Sequence, residues 1–172
     1  AEAGGYPTAQ YTQALEHYGR ALEREPRSVL ARLARAQTAL RTARHRLARG
    51  LDPREALGRS EADCTEVLAA SPDRVEAWVC RGMARQDRAD WLSARDQDPA
   101  AELRAADADY TEALRRRPGD AEALLSRGVV RVNLERWAEA IADLEAAVNA
   151  DPGVAARAQA PLQRAREGAK GK

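Results

Sequence analysis

The stretch Ala121–Pro152, AEALLSRGVVRVNLERWAEAIADLEAAVNADP, decides the fold. Leu124 and Gly128 lie one helical turn apart, and Trp137, Ala140, Leu144 and Ala147 follow at spacings of three and four. Such spacing gathers each set onto one face of a helix. Two helices joined by a short turn, with Pro152 closing the phrase, predict an antiparallel helical hairpin.

Working outward, Pro26, Pro72 and Pro118 close the same phrase. Five positions before the four prolines stand Ala21, Val67, Ala113 and Ala147. Eight before stand Tyr18, Cys64, Tyr110 and Leu144, and twelve before stand Ala14, Ser60, Ala106 and Ala140. A recurring phrase of this kind means stacked units that bury their apolar faces against their neighbours.

The Ala121–Pro152 phrase resembles the tetratricopeptide repeat, a helix–turn–helix unit of about 34 residues. Leu124 sits at the first large apolar site of that pattern and Gly128 at its close-packing site. Trp137, Ala140, Leu144, Ala147 and Pro152 follow in one register. The resemblance covers roughly residues 8–154 and implies an all-α, right-handed solenoid of antiparallel helix hairpins. With Arg-Gly on the first helix and Ala-Asp-Tyr on its partner, these repeats resemble those of large bacterial multidomain proteins. Some of those proteins carry a serine/threonine kinase domain, which implies a signalling context.

Pro118 and Pro152 are 34 residues apart, whereas Pro26, Pro72 and Pro118 are separated by 46. Both long intervals place their 12 extra residues between the close-packing residue (Ala36 or Gly82) and the second helix. Each insert carries an Asp-Pro pair, Asp52-Pro53 and Asp98-Pro99. Asp as N-cap with Pro at the first helical position starts a helix, and Glu55 would complete a capping box with Asp52. The inserts are therefore expected to lengthen both helices of each hairpin, by about six residues or 9 Å per arm. A loop after a helix of ordinary length is the alternative. Leu57 and Leu103 then take the place of Trp137 and Tyr11 near the start of the second helix.

The expected organisation is a lead and the second helix of a partial repeat over 1–28, extended repeats over 29–74 and 75–120, a standard repeat over 121–154, and a capping helix and tail over 155–172. Ala1–Gly5 reads as a flexible lead. The chain reads as a piece of a longer protein that begins in mid-unit, its first helix keeping an open apolar face. Pro161 would start or kink the last helix, because an interior proline costs about 3 kcal/mol.

Arg35, Arg81 and Arg127 precede the close-packing site, where the family usually has an apolar residue. Asp63, Asp109 and Asp143 precede the large core position of the second helix. Antiparallel pairing brings the two sets together, so three partly buried Arg–Asp ion pairs are expected. The first helix has His17 in place of the aspartate. An anion site built from the arginine row is the alternative.

In the repeat family, first helices line a concave groove that receives a peptide or helix. The resemblance maps that groove onto Leu30, Leu33, Gln37, Leu40 and Arg41, then Glu76, Val79, Met83, Gln86 and Asp87, then Glu122, Leu125, Val129, Val132 and Asn133. Leu33, Val79 and Leu125 can equally serve as core. Family members that clamp a chaperone's C-terminal carboxylate use basic and Asn residues along the groove. Those places here hold Leu33, Gln37, Val79, Met83, Leu125 and Val129, so that clamp is not expected. Trp91 is either a partner anchor or packing between the long arms.

The 172 residues carry 28 basic and 27 acidic side chains, a net charge of +1, with Lys170 and Lys172 the only lysines. No global field favours nucleic acid. No apolar run is long enough for a membrane span, the start shows no signal-peptide pattern, and a cytoplasmic chain is expected. Cys64 and Cys80 form no C-x-x-C pair, and His17 and His45 have no ligand set around them. Phosphate-loop, dinucleotide, zinc-protease and nucleophile-elbow motifs are absent from the sequence. No cofactor, metal or catalytic residue is expected. The expected function is a non-catalytic scaffold for a protein or peptide partner, with self-association as the alternative and nucleic-acid binding a distant third.

Overall fold

A computed structural model gives the structure of the chain and describes residues 7–171. The Ala1–Gly5 lead lies outside the described residues. Those residues fold into eight α-helices: α1 (Pro7–Arg24), α2 (Val29–Ala48), α3 (Arg54–Ala70), α4 (Val75–Ser93), α5 (Ala100–Arg116), α6 (Ala121–Asn133), α7 (Trp137–Ala150) and α8 (Ala155–Lys170). A short 3-10 turn, Pro152–Val154, joins α7 to α8. Each helix packs on the next in sequence. In addition α2 meets α4, α4 meets α6 and α6 meets α8. The first helices therefore form a continuous inner row, and α1, α3, α5 and α7 stand outside it.

Close approach within a hairpin is set by one small residue. A Cβ on Gly82 would lie 2.8 Å from Tyr110 Cε1, and one on Gly128 would lie 2.6 Å from Leu144 Cγ. In the α2–α3 hairpin the large residue is replaced by Cys64, and alanine is accommodated at Ala36, both being fully buried. Around these contacts Leu57, Val67, Ala106, Ala113, Ala140 and Ala147 are also fully buried. Helix packing at interior density leaves no freedom in these sizes.

The extended hairpins are long helices and not loops, but the extra length is shared unequally. The first arms, α2 and α4, have 20 and 19 residues where α6 has 13. The second arms, α3 and α5, each have 17 where α7 has 14. An equal division was expected. The Asp-Pro pairs explain the difference, because proline tolerates only the first turn of a helix and so fixes where the second arm starts. Asp52 Oδ1 accepts from Arg54 N at 2.9 Å and Asp98 Oδ1 from Ala100 N at 2.9 Å, but the helices begin at Arg54 and Ala100, so Pro53 and Pro99 stand in the cap position expected for the aspartates. The expected capping box does not close, since Glu55 Oε1 instead accepts from Arg59 Nη2 at 3.5 Å.

All three first arms end alike. Gly50, Asp96 and Glu135 have φ of 68°, 55° and 57°. The next residue's N–H returns to the last helical turn, Leu51 to Arg46 O, Gln97 to Leu92 O and Arg136 to Arg131 O. This is the left-handed closure that stops a helix and turns the chain.

At the tips of the long arms, Trp91 of α4 is buried between two guanidinium groups. Arg95 lies 4.2 Å and Arg54 of α3 5.1 Å from its ring centroid. Of its two expected roles, packing between the arms is the one the geometry shows. At the other end, α8 runs unbroken through Pro161. The lost backbone bond is offset by packing: Ala158 and Ala165 are fully buried, and Gly168 lies so close to Trp137 that a Cβ would come within 2.6 Å of the ring.

The candidate partner groove and the ionic seams

The inner row of α2, α4, α6 and α8 makes one face of the molecule, and its floor comes from the first helices' own core pattern. Leu33, Leu40, Leu125 and Val132 are buried at 8%, 6%, 2% and 2% exposure. These four were candidate contacts; Leu33 clusters with Val67, Leu68 and Ala77, and Leu40 with Leu57, Cys64 and Cys80, so with their burial they are core and at most floor. Leu30 is the reverse case, 68% exposed at the start of α2. Val79, Met83 and Val129 are half-buried, while Gln37, Arg41 and Glu76 are exposed.

A cavity of about 390 Å³ lies between α2 and α4, floored by Leu40, Val75, Val79 and Met83. Its rim is polar and largely charged: Gln37, Arg41 and Arg44 on one side, Glu76, Arg117, Asp120 and Glu122 on the other. Arg117 Nη2 donates to Glu76 Oε1 at 3.0 Å, and Arg44 Nε to Asp87 Oδ2 at 2.7 Å. Burial pushes the Asp87 carboxyl above its ordinary value despite Arg44. Gln86 accepts from Tyr110 Oη at 2.9 Å and Asn133 from Arg164 at 3.0 Å. Arg157 of α8 also holds Glu122, at 2.9 Å. The structure thus leaves the α2–α4 part of the groove open, while α8 occupies polar groups at the α6 end.

Behind the groove run the ionic seams. Arg35 Nε and Nη2 donate to Asp63 at 2.7 and 2.6 Å. Arg81 Nη2 donates to Asp109 Oδ1 at 2.7 Å, and Arg127 Nε and Nη2 to Asp143 at 2.8 and 2.7 Å. Asp63, Asp109 and Asp143 are buried. Each arginine thus faces a carboxylate inside its own hairpin, which leaves no free arginine row for an anion.

The lattice goes further than the paired positions. Arg85 Nη1 donates to Asp109 Oδ2 at 2.9 Å, and Arg131 Nη1 to Asp143 Oδ2 at 2.9 Å. This further pair of arginines also reaches the preceding hairpin, Arg85 to Glu61 and Arg131 to Asp107, both at 2.8 Å. Arg81 and Arg127 reach Thr65 and Thr111 Oγ1, each at 3.2 Å. The signal was available in the sequence: Arg85 and Arg131 follow the first arginines by one turn, and Glu61 and Asp107 precede the aspartates by two. Burial pushes the Asp109 carboxyl up in spite of both arginines.

The tetratricopeptide repeat family profile matches residues 8–63 and 92–155, more than half of the chain. The chain belongs to the tetratricopeptide repeat family. Among solved structures, a crystal structure of MamA protein superposes with a TM-score of 0.71 at 19% identity, covering 95% of this chain and 75% of that one. TTC0263, a thermophilic TPR protein from Thermus thermophilus, gives 0.67 at 20% identity, covering 92% and 74%. Another MamA structure gives 0.64 at 16% identity, covering 95% and 91%. These likenesses show the same fold. No curated protein matches the chain. The family binds protein partners and is generally non-catalytic. No helix among the described residues is long and apolar enough to cross a membrane.

Proposed function

We propose that this chain is a non-catalytic scaffold of a bacterial, cytoplasmic signalling protein, and that it receives an amphipathic helix or apolar segment of a partner in the groove between α2 and α4. The observation that carries the reading is the open cavity whose floor is Leu40, Val79 and Met83 and whose rim is charged on both sides. An apolar floor with a charged rim suits a helix laid in a groove. Leu30, exposed beside it, adds apolar area at the α2 end. The units on which the groove is built are taken as 29–74, 75–120 and 121–154. The Arg35–Asp63, Arg81–Asp109 and Arg127–Asp143 pairs serve structure and not ligand binding.

Selection of displayed helical peptides against the full chain tests the reading. Binders are expected to lose affinity by about tenfold or more on Val79→Arg or Met83→Glu, since a charge over the floor opposes apolar burial. Circular dichroism of each variant should match the parent. Binders indifferent to both substitutions would sink the groove assignment.

A further inference from the structure

The chain has two cysteines, Cys64 of α3 and Cys80 of α4, 16 residues apart in sequence. The fold brings them together where the first hairpin packs on the second. Cys64 is fully buried and Cys80 is 4% exposed, and both belong to one cluster with Ala36, Leu40 and Ala84. The two thiols share a hydrogen bond, and Ser60 Oγ lies 3.6 Å from the Cys80 sulfur. The repeat itself makes this contact. Forty-six residues on, the same two places hold Tyr110 and Ser126, which also share a hydrogen bond. Ser60 departs from its counterparts as well, since Ala14, Ala106 and Ala140 stand at its place in the other second helices. Two thiols and a hydroxyl thus replace ordinary packing residues at a single crossing.

The two sulfurs are not equivalent. Cys80 lines the α2–α4 cavity together with Arg44, whereas Cys64 lies behind it with no exposed surface. A small molecule in the cavity meets Cys80 and reaches Cys64 only through it. The hydrogen bond from Cys64 lowers the Cys80 thiol below its ordinary value; burial opposes this, and the Ser60 hydroxyl and the Arg44 charge add to the lowering. Cys64 is pushed the other way, by giving its proton to that bond and by burial. The thiolate is the nucleophilic form, so the sulfur inclined to ionise is the one facing the cavity.

We propose that Cys80 and Cys64 form a two-thiol oxidation site whose substrate is a small peroxide, with Cys80 as the nucleophile and Cys64 as the resolving thiol. The Cys80 thiolate attacks one peroxide oxygen; an S–O bond forms, the O–O bond breaks, and hydroxide leaves with the electron pair and takes up a proton. Cys64 then attacks the sulfenic sulfur; the S–S bond forms, the S–O bond breaks, and the departing hydroxide leaves as water with the Cys64 proton. Two thiols lose two electrons and one hydrogen peroxide becomes two waters. The sulfurs must close from hydrogen-bond contact to about 2.05 Å. The product ties α3 of one hairpin to α4 of the next, and a cross-link of this kind restricts the unfolded chain and stabilises the fold. The site does not rest on the partner reading, and its experiment uses no peptide, so either can fail alone.

The full chain is treated with hydrogen peroxide under native conditions, its remaining thiols are alkylated, and it is mapped by mass spectrometry. The expected product is a single chain two hydrogens lighter, with the Cys64 and Cys80 peptides linked, whose urea midpoint rises and returns on adding a reductant. Thiols that stay reduced in the folded chain while the urea-unfolded chain oxidises overturn the proposal, and so does a disulfide formed only between chains. Two variants read the roles. In Cys64→Ala the Cys80 sulfenic acid should persist and be trapped by dimedone. In Cys80→Ala the oxidation of Cys64 should slow about tenfold or more, because it loses both its access and its reactive partner. Cys64 oxidised as fast without Cys80 overturns the assignment. The map of the parent chain decides the matter even where an alanine variant folds poorly.

Discussion

The seam where α3, α4 and α5 meet and the seam where α1, α2 and α3 meet are built on one plan and filled oppositely. In the first of these, Glu61, Arg85, Arg88 and Glu102 make a lattice over Asp109. Arg88 Nη1 bridges Glu61 at 2.7 Å and Glu102 at 3.3 Å. Forty-six residues earlier in the chain, the same four places hold Leu15, Ala39, Thr42 and Ala56. A cleft of about 560 Å³ stands there instead. Thr42 turns its hydroxyl back onto Thr38 O at 2.9 Å. The two seams differ at all four positions at once, as a shared, partly buried site demands: one of these charges left alone would stand there unpaired. The backbone repeat thus survives full replacement of its polar filling. It is carried by the close-packed crossing, Ala36 with Cys64 in one hairpin and Gly82 with Tyr110 in the other, and by the Arg–Asp pair that both seams keep.

The largest expected effect tests that retained pair. Asp109→Asn leaves Arg81 and Arg85 facing a neutral amide, with side chains only 13% and 20% exposed. Removing one partner of such a buried group costs about 3–5 kcal/mol. Asp63→Asn should cost clearly less, because Asp63 answers Arg35 alone and Ala39 stands where the other arginine would be. Arg35 is also the more exposed, at 22%. Urea unfolding of both variants, and of Asp109→Asn with Arg81→Gln, checks the point. Equal losses at the two aspartates would break the comparison, and simple additivity in the double variant would show that the pair is not coupled.

A middle-sized effect separates the hairpins by the residue opposite their close-packing site. Gly82→Ala places a methyl group 2.8 Å from the Tyr110 ring. Overpacking of this kind costs about 1–3 kcal/mol, partly offset by the better helix propensity of alanine, about 1 kcal/mol. Tyr110→Cys imitates the α2–α3 hairpin, where Ala36 faces the smaller Cys64. In that background Gly82→Ala should cost nothing or stabilise. Thermal melts of the parent, the two single variants and the double variant decide it. An unchanged cost in the Tyr110→Cys background would show that the backbone and not the ring sets the limit.

The hairpins, their long arms and the three Arg–Asp pairs could be read from spacing because each repeats a local rule at fixed offsets. What could not be read in that way depended on three helices at once. Leu33, Leu40, Leu125 and Val132 occupy inner-row positions by register, yet burial there is decided by the neighbouring hairpin, which no single helix pattern reports. The unequal arms required weighing proline's place in a helix against an even split. Pro161 invited a break because its cost is local, whereas the buried faces of Ala158, Ala165 and Gly168 that outweigh it belong to the contact with α7. The exchanged filling of the first seam was visible only by aligning Leu15, Ala39, Thr42 and Ala56 with the later charges.

The smallest effect is a pH dependence carried by Glu61, whose place in the other seam is taken by Leu15. Burial alone would raise the Glu61 carboxyl, but hydrogen bonds from Arg85 and Arg88 outweigh it and hold it below its ordinary 4.5. A carboxylate lowered on folding stabilises above its unfolded value, and that contribution is lost as pH falls through the lowered one. Asp109 works against this. Its value is raised above 3.8 by burial, so its contribution is present in acid and lost as pH rises. Glu61→Gln removes the first contribution: amide exchange in α3 and α4 should lose its acid-side slope below about pH 4.5 while the opposing effect of Asp109 remains. At the first seam the position is Leu15, and protection of α1 should not respond to the substitution. A response of α1 equal to that of α4 would mean that the seams open as one unit, and that the polar filling of one is felt along the whole stack.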